Sequence, residues 1–122
     1  MPWNKQGGYE GMNRLSGKNC SAVFAMSDNI AAGVYAWMTE KGMLPGRDLS
    51  VMGYDNQDIA DLLTPGVTTM ALPLEDIGEA AARKLIDMIE DPEEYEDGCG
   101  GDVLLKSTLV ERDSVTRYHQ QR

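Results

Sequence analysis

A chain of 122 residues has room for one domain and a modest core. Its 42% apolar and 25% charged residues are those of an ordinary globular protein, and 20 acidic against 11 basic residues leave a net charge of -9. That charge disfavours direct binding to nucleic acid or to an anionic membrane surface. Cys20 and Cys99 are far apart, and a lone His119 sits in a polar tail, so neither a metal spacing nor a disulfide framework is present and a reducing compartment is expected. No apolar run reaches the roughly 18 residues of a membrane span, and the start shows no secretory apolar region. The chain reads as cytoplasmic.

Residues 1–7 read as irregular. Trp3 is either packed on the surface or offers its flat apolar face to a ligand. Tyr9, Met12 and Leu15 recur at helical spacing from Gly8 to Ser16, and Gly17 stops them. Ser21 to Met26 is an unbroken small-and-apolar run, expected to be a parallel strand buried on both faces. Ser27-Asp28 is an N-cap signal. The helix it opens runs to about Lys41, with Ile30, Val34, Trp37 and Met38 on one stripe and the small residues Ala31, Ala32 and Gly33 permitting close approach. Leu49 to Tyr54 is a second buried strand, ending in Asp55-Asn56.

Gln57 to Leu63 is expected as a short helix or turn, and Val67 to Leu72 as a strand broken by Pro73. Leu74 to Glu90 carries the clearest helical pattern, with Ile77, Ala81, Leu85, Met88 and Ile89 on one face and acids in the first turn. Residues 91–102 form an acidic, Gly-rich loop. Val103 to Leu105 and Thr108 to Val110 read as short strands, and the tail from Ser114 as frayed.

Helix alternating with buried strand is the pattern of a parallel α/β sheet flanked by helices. In such sheets ligands bind beyond the carboxyl ends of the strands. Ser27 and Asp55 would meet at that edge, where a carboxylate suits a ligand hydroxyl or amine. The plainer reading of Asp55-Asn56 is a turn that caps the next helix. Asp28 with Asp55 also makes a conceivable carboxylate pair for Mg²⁺, though a hard cation wants more oxygen ligands. No phosphate-binding Gly-Lys-Ser loop, dinucleotide glycine motif or nucleophile elbow occurs, and no catalytic residue, metal site or cofactor is expected.

Several stretches together resemble the lactose/galactose-repressor (LacI/GalR) family. Ser21-Ala-Val-Phe-Ala-Met-Ser-Asp-Asn-Ile-Ala-Ala-Gly33 is similar to its strand, Asn/Ser-Asp and helix segment. Leu44-Pro-Gly-Arg-Asp-Leu-Ser-Val-Met-Gly-Tyr-Asp-Asn56 is similar to its signature of a Pro and an Asp ahead of a Ser-Val-x-Gly-Tyr-Asp-Asn run. Thr64-Pro-Gly-Val-Thr-Thr69 with Pro73, Gly78-Glu-Ala-Ala81 and Leu109-Val-Glu-Arg-Asp-Ser114 follow in the family's order. The resemblance implies that residues 1–115 are the C-terminal fragment of a two-lobed, type I periplasmic-binding-protein-like effector domain, with a polar tail at 116–122 and the DNA-binding headpiece absent. It implies a non-enzymatic sensor of a sugar- or nucleoside-like effector, within a homodimeric transcriptional regulator that reaches DNA only through the headpiece.

By the same resemblance Trp3 stacks on the effector, and Ser27 and Asp55 hydrogen-bond it. Leu72 falls where sugar-sensing members carry Gln, and Leu74 is a second apolar residue of that wall. Ala32 and Leu63 fall at the dimer interface, although both also suit an internal core. The rival readings are a fragment of a periplasmic sugar-binding protein, and a small metal-dependent α/β enzyme using Asp28 and Asp55.

Overall fold

The structure, a computed structural model, describes residues 1–96 and 101–118. Expectations for Cys99, the Gly98–Gly100 stretch and His119 lie outside the described residues. The chain divides into two compact units, one of Met1–Ala71 with Leu109–Arg122 and the other of Leu72–Thr108.

In the first unit, helix α1 (Lys5–Leu15) starts three residues before the apolar spacing suggests, because Asn4 caps it. The Asn4 side-chain oxygen accepts from the Gly7 amide at 3.1 Å. Strand β1 (Ala22–Phe24) leads to helix α2 (Asp28–Glu40), whose N-cap is Ser27 as the sequence suggested, its Oγ accepting from the Ile30 amide at 3.2 Å. Val34, Trp37 and Met38 of the expected stripe are buried, and the Trp37 ring nitrogen donates to Asn13 Oδ1 at 2.9 Å.

Helices α1 and α2 meet through glycines. A Cβ on Gly33 would collide with the Lys5 carbonyl oxygen, and one on Gly8 with that of Ile30. The small-residue face of α2 therefore lets two backbones touch.

Strand β2 (Ser50–Met52) pairs with β1 in parallel, with Ala22 opposite Ser50, Val23 opposite Val51 and Phe24 opposite Met52. Parallel bridges from Met52 to Thr68 and from Asp55 to Ala71 tie β2 to strand β3 (Thr69–Ala71). Between them lies the short helix α3 (Asp58–Leu62). Strand β4 (Thr108–Val110) makes a second two-stranded ladder with β3. The core gathers Met12 from α1, the inner face of α2, Leu49 and Val51 around β2, Ala60 from α3, and Val67.

Three expectations are corrected here. Ser21–Met26 is not buried on both faces. Ala25 and Val23 turn to the core, while Phe24 and Met26 stay exposed, because successive strand residues face opposite ways and only one face meets the core cluster. Ser114 does not begin a frayed tail. It is fully buried, donating from Oγ to the Val51 carbonyl and accepting from the Thr68 amide at 2.8 Å. Thr116 continues the attachment, its amide 3.1 Å from Ser50 Oγ and its hydroxyl bonded to the Gly46 carbonyl.

The third correction falls in the second unit, where Val103–Leu105 forms no strand. Leu104 is 93% exposed, and an apolar triplet with no strand beside it has no ladder to join. The long helix α4 has the bounds the sequence suggests (Leu74–Glu90), yet none of its residues is buried. A 3-10 turn at Pro92–Tyr95 follows it, and the Lys84 ammonium bonds the Gly101 carbonyl. Among the described residues no helix is long and apolar enough to cross a membrane.

Candidate functional site

Parallel pairing of β1 with β2 brings their carboxyl ends to one edge of the first unit. The Asp28 amide donates to the Tyr54 carbonyl at 2.9 Å, so the residues following the two strands are joined directly. Ser27 and Asp55 are therefore neighbours on the same edge, as their positions in the sequence suggest. They differ in availability. Ser27 is only 3% exposed, and its oxygen already accepts the helix-capping hydrogen bond, which leaves its hydroxyl proton as the donor. Asp55 is tied by its backbone, its amide donating to the Met70 carbonyl at 3.0 Å, and its carboxylate stands half-exposed.

Asp55 and the following Asn56 are both in left-handed backbone, with φ of 102° and 56°. Such angles are rare away from glycine, although Asp and Asn tolerate them best. The Asp55 carboxyl is held above the ordinary aspartate range, first by burial and then by the negative charge of Asp28. The folded chain therefore holds that proton more tightly than the unfolded chain does. This contribution to stability is complete below the ordinary aspartate pKa and is lost as pH rises through the raised value. At neutral pH the ionised Asp55 works against folding. Asp55→Asn is accordingly expected to raise the melting temperature slightly at pH 7, with the gain shrinking to nothing as pH falls through the aspartate range. Differential scanning calorimetry at several pH values checks this, and a variant less stable than the parent at pH 7 would contradict it.

Trp3 is 67% exposed ahead of α1. It borders an open, mainly apolar cavity of about 300 Å³ with Phe24, Met26, Ile30 and Leu15. Phe24 also meets Tyr54 edge-on, with ring centroids 6.5 Å apart and planes at 76°. Aromatic surface thus runs from Trp3 through Phe24 to the residue next to Asp55. An apolar wall beside a few polar groups is the usual make-up of a small-molecule site. Phe24 and Met26 were missed as wall residues because the sequence placed them inside a two-sided strand. Leu72 and Leu74 belong to the second unit, where Leu72 is half-buried and Leu74 is the exposed first residue of α4.

Asp28 is fully buried, with Thr69 Oγ1 donating to Oδ1 and the Gln57 amide to Oδ2, each at 2.7 Å. Both its oxygens are engaged, so a metal-holding pair would have only Asp55 to offer. Among the described residues no group of three or more His, Cys, Asp or Glu side chains is arranged to hold a metal ion. Ala32 is buried within the first unit. Leu63 packs against the core, and it is the adjacent Leu62, 79% exposed, that presents apolar surface.

Comparison with known proteins sets this geometry in context. The family described as periplasmic binding protein-like domain matches residues 2–115. Over 113 residues the chain is 34% identical to the ribose operon repressor of Haemophilus influenzae, covering 90% of this chain and 32% of that protein. It is 36% identical over 102 residues to the transcriptional repressor PurR of Vibrio cholerae, covering 80% and 28%. Among solved structures, a LacI family transcriptional regulator from Enterococcus faecium with bound ribose superposes with a TM-score of 0.83 at 32% identity, over 95% of this chain and 42% of that one. The Lac repressor bound to ONPG shares the fold, with a TM-score of 0.81 at 24% identity over 93% and 34% of the two chains. The chain spans about a third of the length of the curated relatives it matches.

Proposed function

Because the chain belongs to the periplasmic-binding-protein-like domain family, among the LacI-type transcriptional regulators, we propose that it is the effector-sensing portion of a cytoplasmic, DNA-binding regulator and not an enzyme. The observation that carries this reading is the joining of the β1 and β2 ends by the Asp28–Tyr54 backbone bond, which puts the Ser27 hydroxyl and the Asp55 carboxylate on one edge. The relatives include a ribose operon repressor and a regulator with bound ribose, which supports a sugar- or nucleoside-like effector.

In this reading Asp55 accepts hydrogen bonds from effector hydroxyls, Ser27 donates one, and the Trp3 face stacks on the apolar side of the ring. The effector favours one arrangement of two lobes, and that shift changes the geometry of DNA-binding headpieces in a homodimer. The net charge of -9 makes this chain's own surface a poor partner for DNA, so DNA contact falls to the headpiece. The test is a thermal-shift screen of pentoses, hexoses and nucleosides at millimolar concentration. At least one polyol should raise the melting temperature of the wild-type chain, and Asp55→Ala should abolish the rise. A rise of equal size in Asp55→Ala would remove Asp55 from the site.

Self-association through a second copy belongs to the same reading. Ala32 and Leu63 are the proposed dimer positions; this unit itself largely covers both, so the apolar surface offered to a partner there is that of exposed Leu62. Apolar residues of α4 (Ile77, Leu85, Ile86 and Ile89) are also exposed, and apolar surface of this kind is usually covered by a partner. Light scattering is expected to report a dimer or larger species with little binding of an apolar dye. A monodisperse monomer that binds no dye would contradict the expectation.

A further inference from the structure

The turn that carries Asp55 has a foundation that the effector reading leaves unexplained. Two successive non-glycine residues, Asp55 and Asn56, sit in left-handed backbone, which persists only where the surroundings over-determine it. The amides of Asn56 and Gln57 end on one buried pair. The Asn56 amide donates to Thr69 Oγ1 at 3.3 Å, and the Gln57 amide donates to Asp28 Oδ2 at 2.7 Å. The Thr69 hydroxyl in turn donates to Asp28 Oδ1 at 2.7 Å. Asp28 and Thr69 are both fully buried.

Glycine at position 53 makes room for this arrangement, because a Cβ there would collide with Asp28 Oδ1. From the other side, Arg112 holds Asn56 Oδ1 at 3.1 Å and the Val67 carbonyl at 2.8 Å. An Asp28 side chain that accepts on both oxygens cannot be replaced by a neutral amide without turning one acceptor into a donor.

We infer that Asp28 is the positioning residue of the Asp55 site: through Thr69 and the Gln57 amide its buried carboxylate holds the β2–α3 turn in the backbone that leaves the Asp55 carboxylate accessible. The inference rests on the effector reading for the importance of Asp55, but its geometry stands apart from any ligand. Asp28 also acts on Asp55 through its charge, which joins burial in raising the Asp55 carboxyl above the ordinary range. Arg112, bonded to Asn56 and 3.8 Å from Asp61, brings a cation to the same turn. Asp28 thus helps to place the Asp55 carboxylate and, second to burial, makes it hold its proton more tightly.

The test is nuclear magnetic resonance on the isotope-labelled chain, following the Asp55 carboxyl carbon through a pH titration and the exchange of the Asn56 and Gln57 amides. In Asp28→Asn the Asp55 midpoint should fall below the wild-type value. In Thr69→Val, which keeps the charge and removes the hydroxyl, Asn56 exchange should be about tenfold faster. Thr69→Ser should restore it. An Asp55 midpoint unmoved in Asp28→Asn, or wild-type exchange at Asn56 in Thr69→Val, would overturn the inference. If Asp28→Asn does not fold, the Thr69 pair decides alone. D-ribose added to the wild-type chain tests the effector reading separately, since silence there leaves the titration and exchange results standing.

Discussion

Asp28→Ala is expected to cost the chain about 3 kcal/mol of stability, seen as a lower urea midpoint with an unchanged slope. The substitution strands two donors that end on the fully buried Asp28, the hydroxyl of fully buried Thr69 and the amide of exposed Gln57. Each unsatisfied buried donor costs about 1–3 kcal/mol. A first-turn carboxylate on α2 is lost as well, at about 0.3–1 kcal/mol. Relief from keeping a charge out of water offsets part of this, which keeps the figure below the simple sum. A loss of this size is a large share of the roughly 5–15 kcal/mol that holds a domain together. Thr69→Val should cost less, because it leaves the Gln57 bond in place. An Asp28→Ala chain with the parental midpoint would mean that water or a shifted side chain satisfies both donors.

Gly33→Val is the second large effect, and it acts through packing alone. The space a side chain would need at Gly33 is filled by backbone, the Lys5 carbonyl and the Tyr9 amide, which cannot rotate away. Helix α1 must therefore lift off α2. Overpacking of this kind costs about 1–3 kcal/mol or more, with a drop of about 10 °C in melting temperature. Circular dichroism should show helix retained in α2 with cooperativity reduced. A variant that melts with the parent would show that α1 does not need its seat on α2.

The sequence carried much of the fold in local form. Ser27 announced α2 because a serine before an apolar stripe is a local cap signal, and the stripe itself placed Val34, Trp37 and Met38 in the core. The α4 bounds were legible because Pro73 and Pro92 bracket one uninterrupted helical pattern. What escaped was non-local. Nothing near Asp28 in the chain points to Thr69, 41 positions on, so it read as part of an N-cap signal or as a metal ligand and not as the support of another aspartate. Ser114 read as loose tail because its neighbours are polar, while its partners Val51 and Thr68 lie at least 46 positions away. Phe24, Met26 and Val103–Leu105 were misjudged for one shared reason: an apolar run records that burial is wanted but not which layer supplies it.

The site was legible at Asp55 because a polar pair ending an apolar strand is a local pattern. At Trp3 the sequence offered only a flat ring without a context, and the cavity it shares with Phe24 and Met26 supplied one. Ser27 shows that one side chain can answer to two demands. Its oxygen is spent on the helix and only its proton is left for a ligand.

The measurement that bears most directly on the sensing edge is a chemical-shift map of the chain titrated with D-ribose at millimolar concentration. Shifts should gather on the Trp3 indole and on the backbone of Ser27, Asp28, Asp55 and Asn56, and should vanish in Asp55→Ala. Shifts gathered instead at the opposite ends of the strands, around Ser21, Ser50 and Thr116, would contradict the assignment of the effector to this edge.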